Sequence, residues 1–317
     1  MTIKRICITG GNGLLGTKLL QAARESFHCV SIDVQPFPIF SSDRVVYMQG
    51  DVTDPQATAE QIKAADPDWV IHAAALTDVD ACEREKEKAW TMNVQGCENV
   101  VRVCSDQHLP LVFVSTDYVF DGNSGPYGEE DPVHPLNHYG LTKSEGEKIV
   151  RAGLEDFIIV RTMVLYGWAR RVRNNYALWL IDTLGRGETV RIVVDQFGTP
   201  TLADDLAEAL LLGVNRNLRG LYHMAGSEFL SRHAFATLVA EVFSFDPSLI
   251  FETTSDRLKQ PARRPRMSGL KTDRMTRETG YRFSSVRDGL AVIRRQMEEN
   301  HIRFQNGFRD EEYKSRE

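Results

Sequence analysis

Tyr139 and Lys143 stand four residues apart in Tyr139-Gly140-Leu141-Thr142-Lys143. The pentad follows a turn-rich run, Pro132-Val133-His134-Pro135-Leu136-Asn137-His138, and opens an amphipathic stretch that reads as a helix over 139–150. Residues four apart share a helix face, so phenol and ammonium point into the same space. A free phenol, with a pKa of about 10, is a poor acid-base group near neutrality. A nearby ammonium favours the phenolate and lowers that value. Such a pair can give a proton to a carbonyl oxygen or take one from an alcohol. Taken alone, the pentad reads as a solvated helix face; what lies upstream changes that.

The elements that would position it begin at the N-terminus. An apolar, β-branched run at 3–8 predicts a buried strand. Thr9-Gly10-Gly11-Asn12-Gly13-Leu14-Leu15-Gly16 follows, then a helical run at 17–25 and a second apolar run, 29–32, ending at Asp33. Strand, glycine turn, helix, strand and acid form a βαβ unit. Gly10, Gly13 and Gly16 would let the backbone approach a pyrophosphate, whose charge a helix N-terminus favours, and Leu14 and Leu15 between them are expected at the cofactor too. Asp33 lies 17 residues after Gly16, close to the ~20 expected of an acid that accepts from an adenosine ribose. An acid there repels a 2′-phosphate, so NAD(H) is expected in preference to NADP(H), with NADP(H) still admissible.

A third strand, 45–48, runs into Gly50-Asp51-Val52. Asp51 reads equally as an acceptor for the adenine amino group or as the cap of a helix at 55–64, and Val52 beside it is expected at the cofactor. A fourth strand, 69–72, leads into Ala73-Ala74-Ala75, small residues that allow close approach of a ligand at the strand end facing the crevice. His72 reads as a packed histidine. One long polar helix is expected over 83–107. Asn93 inside it, a residue that helix interiors disfavour, is expected to hold a water or backbone carbonyl near the cofactor, or else to face solvent. A fifth strand, 111–114, ends in Ser115-Thr116-Asp117-Tyr118, whose hydroxyls also face the crevice. A sixth is expected at 157–161.

Thereafter the organisation changes. A basic loop at 168–175 precedes a helix at 176–184; a strand at 189–194, a helix at 204–214, a strand at 221–224 and helices at 231–243 and 286–299 follow. Residues 257–266 carry Arg257, Lys259, Arg263, Arg264 and Arg266 around two prolines, a loop able to clamp a diphosphate. The expected division is a nucleotide-binding domain over 1–165, a smaller α+β substrate-binding part over 166–300 with about 195–220 returning to the first, and a charged, poorly ordered tail over 301–317. The fold class is α/β, a doubly wound parallel sheet of Rossmann type.

Composition narrows the partners. The 317 residues are 42% hydrophobic and 26% charged, with a formal net charge of -6, which disfavours nucleic acid. No stretch approaches the ~18 apolar residues of a membrane span. Five cysteines without a Cys-x-x-Cys pair fit reduced thiols in a cytoplasmic protein and no metal site.

Gly10-x-x-Gly13-x-x-Gly16, Thr116 and Tyr139-x-x-x-Lys143 together resemble the extended short-chain dehydrogenase/reductase superfamily. Ser115 to Gly122, Pro135-Leu136-Asn137-x-Tyr139-Gly140-x-Thr142-Lys143 and Asp195-Gln196-Phe197-Gly198-Thr199-Pro200-Thr201 are similar to the dTDP-4-dehydrorhamnose reductase family within it. The resemblance runs to about Met297. It implies Thr116, Tyr139 and Lys143 as the catalytic trio and hydride transfer to C4 of a nucleotide-linked 4-keto-6-deoxy sugar. Tyr139 and Lys143 would also hold the cofactor, and Thr77, Thr116, Asp117, Tyr118 and Asn175 would lie at the substrate. A homodimer is expected. Val164 departs from the family, which often has Trp there. Two other readings stand: a nucleotide-sugar 4-epimerase or dehydratase with bound NAD+, and a non-catalytic regulatory subunit of the methionine adenosyltransferase type.

Overall fold

Runs such as Ile6-Cys7-Ile8, Leu111-Val112-Phe113 and Ile158-Ile159-Val160 have no polar residue to turn toward water, so both faces of their sheet must be covered. The computed structural model describes residues 3–302 and 304. Its first half runs β1 (Arg5–Thr9), α1 (Leu14–Ala23), β2 (His28–Asp33), β3 (Val45–Gln49), α2 (Pro55–Ala65), β4 (Trp69–His72), α3 (Val79–Arg84), α4 (Lys86–Trp90), a π-helical turn (Thr91–Gln95), α5 (Gly96–Asp106), β5 (Leu111–Thr116), α6 (His138–Gly153) and β6 (Phe157–Thr162). The second half runs β7 (Leu165–Tyr166), α7 (Tyr176–Gly185), β8 (Val190–Val193), β9 (Phe197–Gly198), β10 (Thr201–Leu202), α8 (Ala203–Asn215), β11 (Gly220–His223), β12 (Leu230–Ser231), α9 (Arg232–Phe243), β13 (Ile250–Thr253), α10 (Ser255–Leu258), α11 (Asp273–Thr279) and α12 (Val286–Glu299).

Seven strands form one parallel sheet in the order β11-β6-β5-β4-β1-β2-β3. Leu19, Leu210 and Met275, from α1, α8 and α11, belong to the core on one face. Ile62, Val100 and Val150, from α2, α5 and α6, belong to the core on the other. A further core gathers Leu180, Phe235, Val239 and Ile293 from α7, α9 and α12 with Ile192 of β8. The chain direction of winding reverses between β1 and β4, and in such sheets the ligand crevice lies at that point, outside the carboxyl ends of the strands.

The return toward the sheet is made by α8 and β11, so it starts after 195 and ends at His223. Of the helix expected over 83–107, residues 86–106 run without a gap through α4, the π-turn and α5, and only its first residues belong to a separate helix, α3, which ends at Arg84. Apart from residues 300–302 and 304, the tail and its expected poor order lie outside the described residues. Among the described residues, no helix is long and apolar enough to cross a membrane, and no group of three His, Cys, Asp or Glu stands where it would hold a metal ion. All five cysteines are buried and unpaired.

Candidate active site

A cavity of about 700 Å³ opens at the carboxyl ends of β1, β2, β4 and β5, within the size range of small-molecule sites. Its floor is the glycine loop. Gly10 has φ +76°, and a Cβ there would lie 2.7 Å from the Ala74 nitrogen, so loop and post-β4 segment touch backbone to backbone. A Cβ on Gly16 would lie 2.2 Å from the Gly10 carbonyl oxygen. Gly13 caps α1 without a side-chain hydrogen bond, which leaves the helix's first N–H groups for a ligand. Gly10, Gly13, Leu14, Leu15, Gly16, Asp33, Val52, Ala73, Ala74 and Ala75 all line the cavity. These residues fit a dinucleotide: close-approach backbone, a free helix start, and a carboxylate at the end of β2.

Asp51 is different. Its carboxylate accepts from Thr53 N–H (2.9 Å) and Thr53 hydroxyl (2.8 Å), and it is exposed while its neighbours Gly50 and Val52 line the cavity. The cap of α2 is Asp54, which accepts from Gln56 and Ala57 N–H at 2.9 Å. Asn93 is 1% exposed, which removes the solvent-facing alternative. Its Oδ1 accepts from Leu76 N–H (2.7 Å) and its Nδ2 donates to the Leu76 carbonyl (3.1 Å) and Thr142 hydroxyl (3.0 Å). It therefore ties the loop after Ala75 to α6 rather than offering itself to a ligand. The π-turn that carries it is a deviation often found at functional sites.

The trio comes from two elements. β5 delivers Thr116 and the following turn delivers Asp117 and Tyr118; α6, capped by Asn137 on Gly140 N–H (2.9 Å), delivers Tyr139 and Lys143. All five line the cavity, as do Thr77 and Asn175. Thr116 stands beside Tyr139 on this wall, and the Tyr118 ring meets the Tyr139 ring edge-on at 5.9 Å. The Lys143 ammonium stands 4.2 Å from the Phe113 ring centroid. Asn175 uses its side chain structurally, accepting from Leu178 N–H (3.3 Å) and donating to the Gly167 carbonyl (2.8 Å).

The electrostatics correct one expectation. The Tyr139 phenol is raised above its ordinary value, first by burial and then by the Asp117 carboxylate; the expected lowering is not what this enclosed wall produces. Tyr139 therefore holds its proton at neutral pH, the form a proton donor needs. Lys143 is the group pushed down, from 10.5 to about 8, by burial. Asp117, buried and bonded by Ser268 hydroxyl (2.6 Å) and Thr116 hydroxyl (3.1 Å), is raised to about 6, again chiefly by burial. His72 is packed as expected: it bonds the Thr9 hydroxyl (2.7 Å) and is pushed down to about 3 by burial, then by Lys143.

A pH dependence follows with a definite sign. Lys143 is charged below about pH 8 and neutral above it, so any turnover that needs its charge falls as pH rises through 8. A kcat profile is expected to show that descending limb, and Lys143→Arg is expected to move it upward, because a guanidinium keeps its proton. A flat profile from 7 to 9.5, on the order of the whole accessible range around that value, would remove Lys143 from the protonation chemistry.

The cations at the cavity are not those of the 257–266 loop. Arg264 is bonded to the Asp80 carboxylate and the Ala262 carbonyl, and Arg266 to Asp256. Besides Lys143, the cavity is lined by Arg171, Arg173 and Arg232. Arg173 pairs with Asp78 (3.2 Å), and the Arg232 guanidinium stacks 4.7 Å from the Tyr176 ring centroid. Arg232 carries no local signal in the sequence; it reaches the site because β12 pairs with β9 and aims the start of α9 inward. Val164 also lines the cavity, at φ +43°, a backbone region that a β-branched residue rarely occupies.

A doubly wound parallel sheet with a glycine loop at its switch point and a Thr, Tyr-x-x-x-Lys wall at the strand ends defines a short-chain dehydrogenase/reductase. The chain belongs to a particular family of that class, described as RmlD substrate binding domain, whose pattern matches residues 4–298. It is 33% identical over 294 residues to the probable low-salt glycan biosynthesis reductase Agl14 of Haloferax volcanii, covering 90% of this chain and 96% of that one. It is 34% identical over 274 residues to the dTDP-4-dehydrorhamnose reductase of Mycobacterium tuberculosis, covering 84% of each. The crystal structure of dTDP-4-dehydrorhamnose reductase from Bacillus anthracis in complex with NADP is 28% identical, with a TM-score of 0.83 over 93% of this chain and all of that one.

Proposed function

We propose that this chain is a nicotinamide-dependent reductase of a nucleotide-linked 4-keto-6-deoxy sugar that prefers NADH to NADPH. One observation carries the reading: Thr116, Tyr139 and Lys143 stand on the wall of the same cavity that the glycine loop and Asp33 line. The relative solved with NADP supports a nicotinamide dinucleotide in that cavity. When bound, the nicotinamide supplies the hydride to the sugar carbonyl carbon. Tyr139, protonated at neutral pH, gives its proton to the carbonyl oxygen. The Thr116 hydroxyl, turned from Asp117 Oδ1, donates to the same oxygen. Lys143, half a step from losing its own charge, stabilises the tyrosinate left behind and holds the nicotinamide ribose. Asp117 belongs to the wall, with Ser268 and Thr116 occupying its oxygens, which favours reduction over the dehydratase reading. A homodimer in the cytoplasm is part of the same proposal.

The test is NADH oxidation by the full chain with dTDP-4-dehydro-6-deoxy-L-mannose, followed by nicotinamide absorbance. Stoichiometric oxidation with release of the oxidised cofactor supports the proposal. Retained cofactor with interconversion of sugars favours the epimerase reading, and NADH binding without turnover on any 4-keto sugar favours the regulatory one. Asp33→Ala is expected to cut the preference for NADH over NADPH by about tenfold or more, since a like charge beside a phosphate costs several kcal/mol. An unchanged preference in titrations with both cofactors would remove Asp33 from the ribose site.

A further inference from the structure

Asn12 is a glycine-loop residue whose side chain leaves the loop, and it is 3% exposed. Its Nδ2 donates to the Phe37 carbonyl (2.8 Å) and its Oδ1 accepts from Ile39 N–H (2.9 Å). Its backbone N–H donates to Asp33 Oδ2 (3.0 Å). On β3, the Tyr47 hydroxyl donates to the Gln35 carbonyl, lies 3.4 Å from the Asp33 carbonyl, and stands 3.4 Å from Asn12 Nδ2. The second oxygen of Asp33 accepts Gln35 N–H (3.2 Å). The long connection after β2, with Pro36 and Pro38, is thus sewn to the glycine loop on one side and to β3 on the other.

The consequence concerns the Asp33 carboxylate. An acid at this strand end excludes a 2′-phosphate only while it stays in place. On a loose connection the side chain rotates away and the phosphate takes its position. Here rotation breaks two hydrogen bonds to fixed N–H groups, and the connection that would have to move with it is itself bonded at Gln35, Phe37 and Ile39. Nor is a replacement cation at hand. Residues 34–43 contain no Lys or Arg, and the Arg44 guanidinium is turned to the Glu25 carbonyl (2.6 Å).

We infer that Asn12 and Tyr47 form a lock that immobilises Asp33 and the connection after it, making the chain discriminate strictly against the 2′-phosphate of NADPH. Both are positioning residues that act through Asp33, so the inference rests on the reading of Asp33 as the ribose acceptor. Preorganisation of this kind enters the binding difference, because only the cofactor with a 2′-phosphate has to break the bonds that hold the carboxylate, while NADH meets it already in place.

Fluorescence titration of the full chain with NADH and with NADPH needs no sugar substrate. NADH is expected to bind about 100-fold or more tightly than NADPH, the scale of a like-charge contact that cannot relax. Tyr47→Phe, which deletes one hydroxyl, is expected to narrow that ratio about tenfold, chiefly by strengthening NADPH; Asn12→Ala is expected to narrow it further. A merely structural role would weaken both cofactors by the same factor and leave the ratio alone. An unchanged ratio in Tyr47→Phe and Asn12→Ala, with Asp33→Ala shifting it, overturns the lock and keeps Asp33 at the ribose. An unchanged ratio in all three overturns the Asp33 reading itself. Equal binding of both cofactors by the unaltered chain overturns the inference at once.

Discussion

Tyr139→Phe is expected to lower kcat for sugar reduction by about 10²- to 10⁴-fold, the usual contribution of a positioned proton donor, while NADH binding stays within about twofold. The substitution removes only the hydroxyl. The ring keeps its edge contact with Tyr118 at 5.9 Å, so the wall does not collapse, and Thr116 retains Asp117 as a partner at 3.1 Å. The loss should lie in the chemical step. The raised phenol sharpens the argument, since a group that holds its proton at neutral pH is the acid required to quench a developing alkoxide. NADH oxidation and NADH titration on the same preparation separate the two effects. Turnover equal to that of the unaltered chain would place the proton donor elsewhere.

The second large effect is on stability. Glu147 lies one turn beyond Lys143, on the face of α6 that also carries Tyr139. Its Oε1 accepts from the Ser115 hydroxyl (2.6 Å) and Arg161 Nε (2.8 Å), and its Oε2 from Arg161 Nη2 (2.7 Å). The side chains of Arg161 and Glu147 are 4% and 6% exposed, so the pair welds α6 to β5 and β6 just behind the trio. Glu147→Ala leaves the guanidinium buried without that counter-charge, beside the Phe120 ring 5.0 Å away. The expected cost is ~3–5 kcal/mol, read as a fall in Tm of several degrees. Adding Arg161→Leu should recover much of it, because replacing a buried pair by apolar groups is often nearly neutral. A single variant as stable as the parent would show that the pair does not hold the helix. Glu147 also raises the Lys143 pKa, so the descending limb of the pH profile should move to lower pH in Glu147→Ala, a shift that a purely mechanical role would not cause.

How much was legible follows from where each signal sits. The parallel sheet could be read because its strands are buried on both faces and appear as unbroken apolar runs. The cofactor floor could be read because Gly10, Gly13 and Gly16 meet one turn and one helix start, all within a short segment. Tyr139 and Lys143 could be paired because four residues make one helical turn. Asp51 reads in the sequence as acceptor and cap alike because carboxylates serve turns as well as ligands; the structure bonds it to Thr53 and gives the cap of α2 to Asp54, while Asn175 lines the cavity with its amide bonded to Leu178 N–H and the Gly167 carbonyl.

By itself, then, the sequence determined the local units: the βαβ glycine turn, the Tyr-Lys helix face, the acid at the end of β2, and the family to which their combination points. Only the tertiary structure decided what those units face. It set a π-turn within the expected long helix, where Asn93 holds Leu76, and it paired Arg264 with Asp80, 184 residues away. It brought Arg232 to the cavity, raised the Tyr139 phenol where spacing alone predicted a lowering, and locked Asp33 through Asn12 and Tyr47. The physical reason is common to all of these: burial and hydrogen-bond partnership belong to pairs of groups distant along the chain, and parallel crossovers decide which groups meet at a strand end, whereas helix spacing and turn chemistry are complete within a few residues.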